Sequence, residues 1–237
     1  MKMDGLQVVV TGGTGALGTA VVGLLLEAGA VCHVPWVQAR ELERFPHKGK
    51  VSLIEGVDLT DEKGVEGLYA RFAGSGQNAG ARLWASIHIA GGFAMGPAEG
   101  VSKQDFVRMM QQNALSCFLS CREAVKKMGD GGGRIVNVAA RPGLIPELGA
   151  GMVPYTASKA AVAAITQALA AEVAGRGILV NAVVPSIMDT PANRTAMPDA
   201  DHGKWAKVEE VARTIVFLAS PENGVTRGGL VPVYGRA

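Results

Sequence analysis

Tyr155 and Lys159 stand four residues apart, so on a helix they share one face. An ammonium beside a phenol favours the phenolate and lowers a tyrosine pKa from its usual value of about 10. A tyrosine tuned this way can deliver a proton to a developing alkoxide or amine near neutral pH. The chain holds only three tyrosines, so the pairing is not frequent background, although taken alone it also fits a surface pair. Residues 11–18 carry a second chemistry, reading TGGTGALG. Gly12 and Gly13 permit a tight turn, and the small residues Gly15, Ala16 and Gly18 let backbone approach a pyrophosphate. The N–H groups and positive end of a following helix would then face the anion. A glycine-rich turn with no ligand is the plainer alternative, and a strand before it with a helix after it argues against that.

Other candidate groups lead away from chemistry. Cys117 and Cys121 are four apart on a predicted helix face, but no second pair or nearby histidine completes a metal set. His33, His47, His88 and His202 are scattered without ligand-spaced partners, so packing is expected for the cysteines and no metal for the chain. Three cysteines suit a reducing cytoplasm. Twenty-three basic and 21 acidic residues give +2 with no basic stripe, which leaves nucleic acid without an electrostatic footprint. No apolar run reaches the roughly 18 residues of a membrane span. The best candidate, 21–31, carries Glu27. Residues 1–5 lead straight into a strand-like run, so no signal peptide is expected.

The elements that must position these groups follow from apolar patterning. Val-, Ile- and Leu-rich runs recur at 6–10, 31–34, 51–57, 83–89, 134–138, 178–184 and 230–233. Most are continuous rather than alternating, as strands covered on both faces require. Between them lie helical patterns: Leu17, Ala20, Val21, Leu24, Leu25 and Ala28 form one stripe, and 103–128, 155–174 and 208–220 carry others. The 103–128 stripe (Phe106, Val107, Met110, Ala114, Phe118, Cys121) extends past what one sheet face needs. Repeated strand–helix alternation predicts an α/β fold, a single-domain Rossmann-type doubly wound sheet of about seven mainly parallel strands with helices on both faces. No linker, repeat or composition break divides 1–237. The 32 glycines, nearly twice the usual share of about 7%, fall partly in the cradle and after the fourth strand. The rest, such as Gly74, Gly76, Gly80 and those within 129–133, read as loop punctuation.

After the second strand a dinucleotide-binding unit places a residue that reads the adenosine ribose. Here that residue is Trp36, which neither bonds a 2′-hydroxyl as an acid would nor repels a 2′-phosphate. Arg40, four residues on, can reach a phosphate or stand solvated. The expected cofactor is NAD(P)(H), with a slight lean to NADP(H).

The cradle, Asp58-Leu59-Thr60 after the third strand, Ala90-Gly91-Gly92 after the fourth, Asn113, and Tyr155-Thr156-Ala157-Ser158-Lys159 occur in one order. Together they resemble the short-chain dehydrogenase/reductase family over essentially the whole length. The resemblance implies Tyr155 as general acid/base, Lys159 as its tuner and a ligand of the nicotinamide ribose, and Asn113 as holder of a relay water. It implies a cofactor surface of Gly12, Thr14, Gly15, Leu17, Gly18, Trp36, Asp58, Leu59, Ala90, Gly91, Gly92, Lys159, Pro185, Met188 and Thr190, with Asp58 on the adenine and Pro185 and Thr190 supporting the carboxamide. Plainer readings stay open: Asp58 as a helix N-cap and Asn113 as a satisfied mid-helix polar. The resemblance also implies a small-molecule substrate and a homo-oligomer, dimer or tetramer, built on the 103–128 helix.

The departures concern the substrate side. Most of the family has a serine after the fifth strand that bonds the substrate carbonyl; residues 135–143 read IVNVAARPG, placing Ala140 there and Arg141 next. Ile89 stands for an asparagine, Ser186 for a glycine after Pro185, and Ala16 for the middle cradle glycine. One branch, the dihydropteridine reductases, resembles the chain in GGTGALG and IAGGFA and likewise lacks the serine. The stretch from Asp189 through Arg194, Met197-Pro198-Asp199 and Trp205 is also similar to theirs, within an expected substrate loop at about 186–206. That branch carries an acid where Trp36 stands and lacks Asn113. The expectation is an oxidoreductase moving hydride to a C=N or C=O group, with a pterin-like substrate and with Ala140, Arg141 and Arg194 on its side of the site. The alternatives are a ketone or ketoacyl reductase and a non-catalytic dinucleotide-binding sensor.

Overall fold

Every apolar run expected as a strand forms one. A computed structural model describes residues 1–72 and 81–236; Gly74, Gly76 and Gly80 lie outside the described residues. The strands are β1 (Gln7–Thr11), β2 (Val31–Trp36), β3 (Ser52–Glu55), β4 (Leu83–His88), β5 (Gly133–Val138), β6 (Ile178–Pro185), β7 (Met188–Asp189), β8 (Ala206–Lys207) and β9 (Leu230–Val233). The helices are α1 (Ala16–Glu27), α2 (Arg40–Glu43), α3 (Glu62–Tyr69), α4 (Lys103–Met109), α5 (Ser116–Met128), α6 (Arg141–Leu144), α7 (Val153–Glu172), α8 (Pro191–Ala196) and α9 (Val208–Ala219). Seven strands pair in the order β3-β2-β1-β4-β5-β6-β9, every pair parallel. The order turns back between β1 and β4, and a doubly wound sheet opens its ligand crevice at such a switch point.

Alternation along each strand feeds two cores. Val8 and Val10 join Leu17, Val21 and Leu25 of α1 and Val211, Ile215 and Leu218 of α9 on one face. Val9 and Ile135 join Val65 and Leu68 of α3, Leu119 of α5 and Val162 of α7 on the other. Each such Val, Leu or Ile stabilises the fold by about 1.5–3 kcal/mol through burial. No described helix is long and apolar enough to cross a membrane.

The expected helix over 103–128 differs in one respect: residues Met110–Leu115 form a π turn between α4 and α5. Its apolar stripe also divides. Ala114 and Cys121 turn inward, while Phe106, Val107 and Phe118 remain exposed. The start of α7 falls two residues before the expected Tyr155, because Pro154 suits a first helical turn, where no intrahelical N–H bond is lost. The 186–206 segment is not an open loop. It contains α8, and β7 pairs with β8 to pin its ends.

Candidate active site

The cradle is built where β1 passes into α1. Gly12 takes φ +68° and lies so close to the β4 end that a Cβ there would meet the Ala90 nitrogen at 2.6 Å. A Cβ on Gly18 would collide with the Gly12 carbonyl and the Gly13 backbone, so neither position accepts a side chain. Gly15, the N-cap of α1, offers no side-chain bond to the first-turn N–H groups. A close backbone turn with uncapped donors at the head of a 12-residue helix fits a pyrophosphate. Ala16 replaces a family glycine at an exposed position that tolerates a methyl group. Leu17 buries its side chain in the core, so only its backbone can face a ligand.

At the ribose end, Trp36 closes β2, half-buried. Beyond it, Glu41 of α2 folds back toward the cradle, accepting from Thr14 Oγ1 at 3.1 Å and from the Gln38 N–H at 3.1 Å. Asp58 is exposed, and its Oδ1 accepts from the N–H and the hydroxyl of Thr60, both at 2.8 Å. It is not the N-cap of α3. That place belongs to Asp61, which accepts from the Gly64 N–H. Leu59 is half-buried against the second core.

The reacting end gathers on the loop after β4. Asn113, in the π turn and 1% exposed, clamps Gly92 from both sides. Its Oδ1 accepts from the Gly92 N–H, and its Nδ2 donates to the Gly92 carbonyl and to Ser158 Oγ, each at 3.0 Å. Ser158 in turn donates to the Tyr155 carbonyl at 2.7 Å. A Cβ on Gly91 would run into Asn113 Oδ1 and stand 3.5 Å from Lys159 Nζ, so loop, π turn and α7 converge within one side chain's width. Phe93 meets the Tyr155 ring edge-on at 5.0 Å.

Tyr155 and Lys159 share a face of α7, but their titration differs from expectation. Burial pushes the Tyr155 phenol up to about 12. It pulls Lys159 down to about 8, partly opposed by the charge of Cys117. Lys159 Nζ donates to the Val138 carbonyl at 2.8 Å. Desolvation, and not the pairing of cation and phenol, is the leading cause of both shifts.

The cysteine pair is also less isolated than its spacing implies, which corrects the expectation of no nearby histidine. His88, at the end of β4, brings a ring nitrogen among the Cys117 and Cys121 sulfurs, all three ligand atoms within 4.8 Å of one another and buried. Strand and helix meet here across 33 residues of sequence, which spacing alone does not reveal. Both ring nitrogens of His88 are engaged, Nδ1 with Asn137 Oδ1 at 2.8 Å and Nε2 with Ser86 Oγ at 2.8 Å. The cluster is a hydrogen-bonded network beneath Lys159, with Cys117 made the more acidic thiol by its bond from Cys121.

Ala140, expected on the substrate side, is buried and extended, with a methyl group as its side chain. Arg141 begins α6, its guanidinium 4.6 Å over the Tyr234 ring. Arg194 is held by Asp189 in a two-pronged ion pair at 2.6 and 2.8 Å. Pro185 ends β6, Met188 lies in β7 with its carbonyl held by Asn193, and Thr190 caps α8 through the Asn193 N–H. Ser158, Phe93 and Glu41 were not among the expected site residues. Phe93 had a signal in the GGF run, whereas Glu41 had none, since only the fold of α2 returns it to the cradle.

Fold and site together define a dinucleotide-binding oxidoreductase of Rossmann type. The family model for short chain dehydrogenase matches residues 7–201, and the chain belongs to that family, whose members use NAD(P)(H). It is 32% identical over 247 residues to galactitol 2-dehydrogenase of Rhizobium johnstonii, covering 98% of this chain and 95% of the relative. It is 30% identical over 244 residues to 3-beta-hydroxysteroid dehydrogenase of Comamonas testosteroni, covering 96% and 93%. Among solved structures, a blue fluorescent protein from a metagenomic library in complex with NADPH superposes with a TM-score of 0.84 at 26% identity, covering 100% of this chain and 99% of that one.

Proposed function

We propose that the enzyme moves hydride to a conjugated C=N or C=O group on a flat ring system, pterin-like in shape. The observation that carries this reading is Ala140, a buried methyl where a hydroxyl donor to a carbonyl would stand. Loss of one oxyanion-type donor costs about 10²–10³ in rate when charge builds on an unactivated carbonyl. A conjugated acceptor spreads that charge and depends less on the donor. Phe93 and Met95 after β4, Leu148 after α6, Val153 at the head of α7 and Ile187 after β6 are all exposed and offer apolar surface for the face of a flat ring.

A bound nicotinamide supplies or accepts the hydride. In this reading Tyr155 Oη donates the proton that completes reduction at the heteroatom, and its raised pKa keeps it protonated until negative charge develops beside it. Lys159, whose Nζ donates to the Val138 carbonyl, would hold the nicotinamide ribose and set its charge beside the phenol. Asn113 fixes Gly92 against α7 and holds the relay water. The cradle from Gly12 to Gly18 takes the pyrophosphate, and Pro185, Met188 and Thr190 flank the carboxamide. Segment 186–206 closes over the substrate as part of one domain spanning 1–237. Trp36 leaves the ribose end open, with Arg40 as a basic group speaking for a 2′-phosphate. The exposed Phe106, Val107, Leu115 and Phe118 support a homo-oligomer, and three free cysteines support the cytoplasm.

The test is cofactor oxidation with quinonoid dihydropterin and with a ketone panel, for the native chain and Tyr155→Phe. Turnover on the dihydropterin, falling about 10²–10⁴-fold in the variant with cofactor affinity retained, is the expected result. Faster turnover on bulky apolar ketones favours a second reading, a hydroxysteroid-type substrate, which the Comamonas relative's name supports. Turnover untouched by Tyr155→Phe overturns the mechanism.

A further inference from the structure

We infer that Glu41 is the residue that chooses the cofactor, and that it selects NAD(H) over NADP(H). The inference rests on the dinucleotide reading of the cradle and concerns its ribose end. The end of β2, where an acid reads the ribose hydroxyls in many dinucleotide folds, is Trp36, whose indole side chain cannot accept a hydrogen bond. The chain supplies a carboxylate from elsewhere. Glu41 lies on the one-turn helix α2, five residues beyond Trp36, and is half-buried although its neighbours Ala39, Arg40 and Glu43 are exposed.

Its two oxygens divide their work. Oε1 accepts from the Gln38 N–H at 3.1 Å, a local bond that fastens the start of α2. Oε2 reaches across 27 residues to Thr14 Oγ1 at 3.1 Å, inside the phosphate cradle. A capping role accounts for the first bond and not for the second. The second sets an anionic acceptor beside the turn that carries the pyrophosphate, on the side of β2, where the adenosine ribose must lie. A ribose 2′-hydroxyl can take the place of the Thr14 hydroxyl as donor to Oε2. A 2′-phosphate brings only acceptor oxygens and about two negative charges to the same carboxylate, and such like-charge contacts discriminate strongly. Arg40 precedes Glu41 on α2 and is the basic group that argues the other way. It stands exposed in solvent, where its pull on a phosphate is screened, while the carboxylate sits at the cradle itself. Glu41 thus weighs against the lean to NADP(H) that Arg40 and Trp36 suggest.

Dissociation constants for NADH and NADPH, read from quenching of tryptophan fluorescence in the intact chain, test this without turnover. The native protein is expected to bind NADH at least about tenfold tighter than NADPH. Glu41→Gln keeps an acceptor for the Gln38 N–H and removes the charge. It should narrow the ratio to within a few-fold, chiefly by gaining NADPH affinity, with an unchanged melting temperature confirming the fold. Preference for NADPH in the native chain, lost in Arg40→Ala, overturns the inference in favour of Arg40. A ratio unmoved by Glu41→Gln overturns it as well. Binding of neither nucleotide by any of these proteins overturns the dinucleotide reading itself and Glu41's role with it.

Discussion

Lys159 is an ammonium that the fold holds at a cost. Its burial draws the pKa from 10.5 to about 8, a displacement worth on the order of 3 kcal/mol at 1.36 kcal/mol per unit. The sign follows from proton counting. Below pH 8 both folded and unfolded chains carry the proton, and the buried charge destabilises the fold in full. Between pH 8 and the unfolded value of about 10.4 the unfolded chain holds more protons, so stability rises with pH until the penalty is gone. Lys159→Met should therefore raise stability near pH 7 by about 1–3 kcal/mol, or a few degrees in Tm, while abolishing turnover. Thermal melts across pH 7 to 10.5 check this, and a gain that does not shrink with rising pH would refute it. Ala140 gives a second prediction at this scale. Ala140→Ser puts a hydroxyl at a buried, extended site without a large change in volume. It should speed reduction of simple ketones by up to about 10²-fold and leave a conjugated C=N substrate little changed, as steady-state kcat/KM on both substrate types would show.

At the scale of elements, the site depends on a helix that departs from α geometry. The π turn at Met110–Leu115 lets Asn113 face Gly92 and Ser158 together while α5 continues along the sheet, and single π turns recur at functional sites for this reason. Asn113→Ala leaves the Gly92 N–H and carbonyl without their side-chain partners. It should cost about 1–3 kcal/mol, lower Tm by several degrees, and weaken turnover more than cofactor binding. Equal loss of both would place Asn113 in binding rather than in the reacting end. The sequence did not reveal this turn, because one residue of slack hardly disturbs the apolar spacing from Phe106 to Cys121. The seven strands of the large sheet were legible for the opposite reason: β1, β4, β5 and β6 are buried almost throughout and read as near-continuous apolar runs, and the outer strands β2, β3 and β9 keep enough Val, Ile and Leu to stand out. Tyr155, Lys159 and the cradle were legible because local chain geometry alone places them. The meeting of His88 with Cys117 and Cys121, and the return of Glu41 to Thr14, arise from contacts between distant segments that no local pattern records.

The whole molecule sets the site at one edge of the sheet, because all seven parallel strands deliver their C-terminal ends to the same side. The helix that carries Asn113 belongs to that edge on its inner face and to the surface on its outer one. Phe106, Val107, Leu115 and Phe118 lie on that outer face, between 37% and 47% exposed. Two exposed phenylalanines beside two aliphatics are the apolar surface on which the proposed homo-oligomer rests, and a two-fold copy of the same face would be its simplest cover. Such an interface needs roughly 800 Å² from each partner, more than four side chains supply, so neighbouring parts of α4 and α5 must join it. Because the Asn113 segment lies between Phe106 and Phe118, covering the outer face would also stiffen the clamp on Gly92. Phe118→Glu, a substitution at an exposed position that leaves the core intact, should convert the assembly to smaller species in sedimentation velocity. Its specific activity should fall on dilution more steeply than that of the native enzyme, while NADH affinity measured at high protein concentration stays within a few-fold. A native chain that sediments as a monomer at micromolar concentration, or a Phe118→Glu variant of unchanged size, would remove the interface from the face and with it the link between assembly and Asn113.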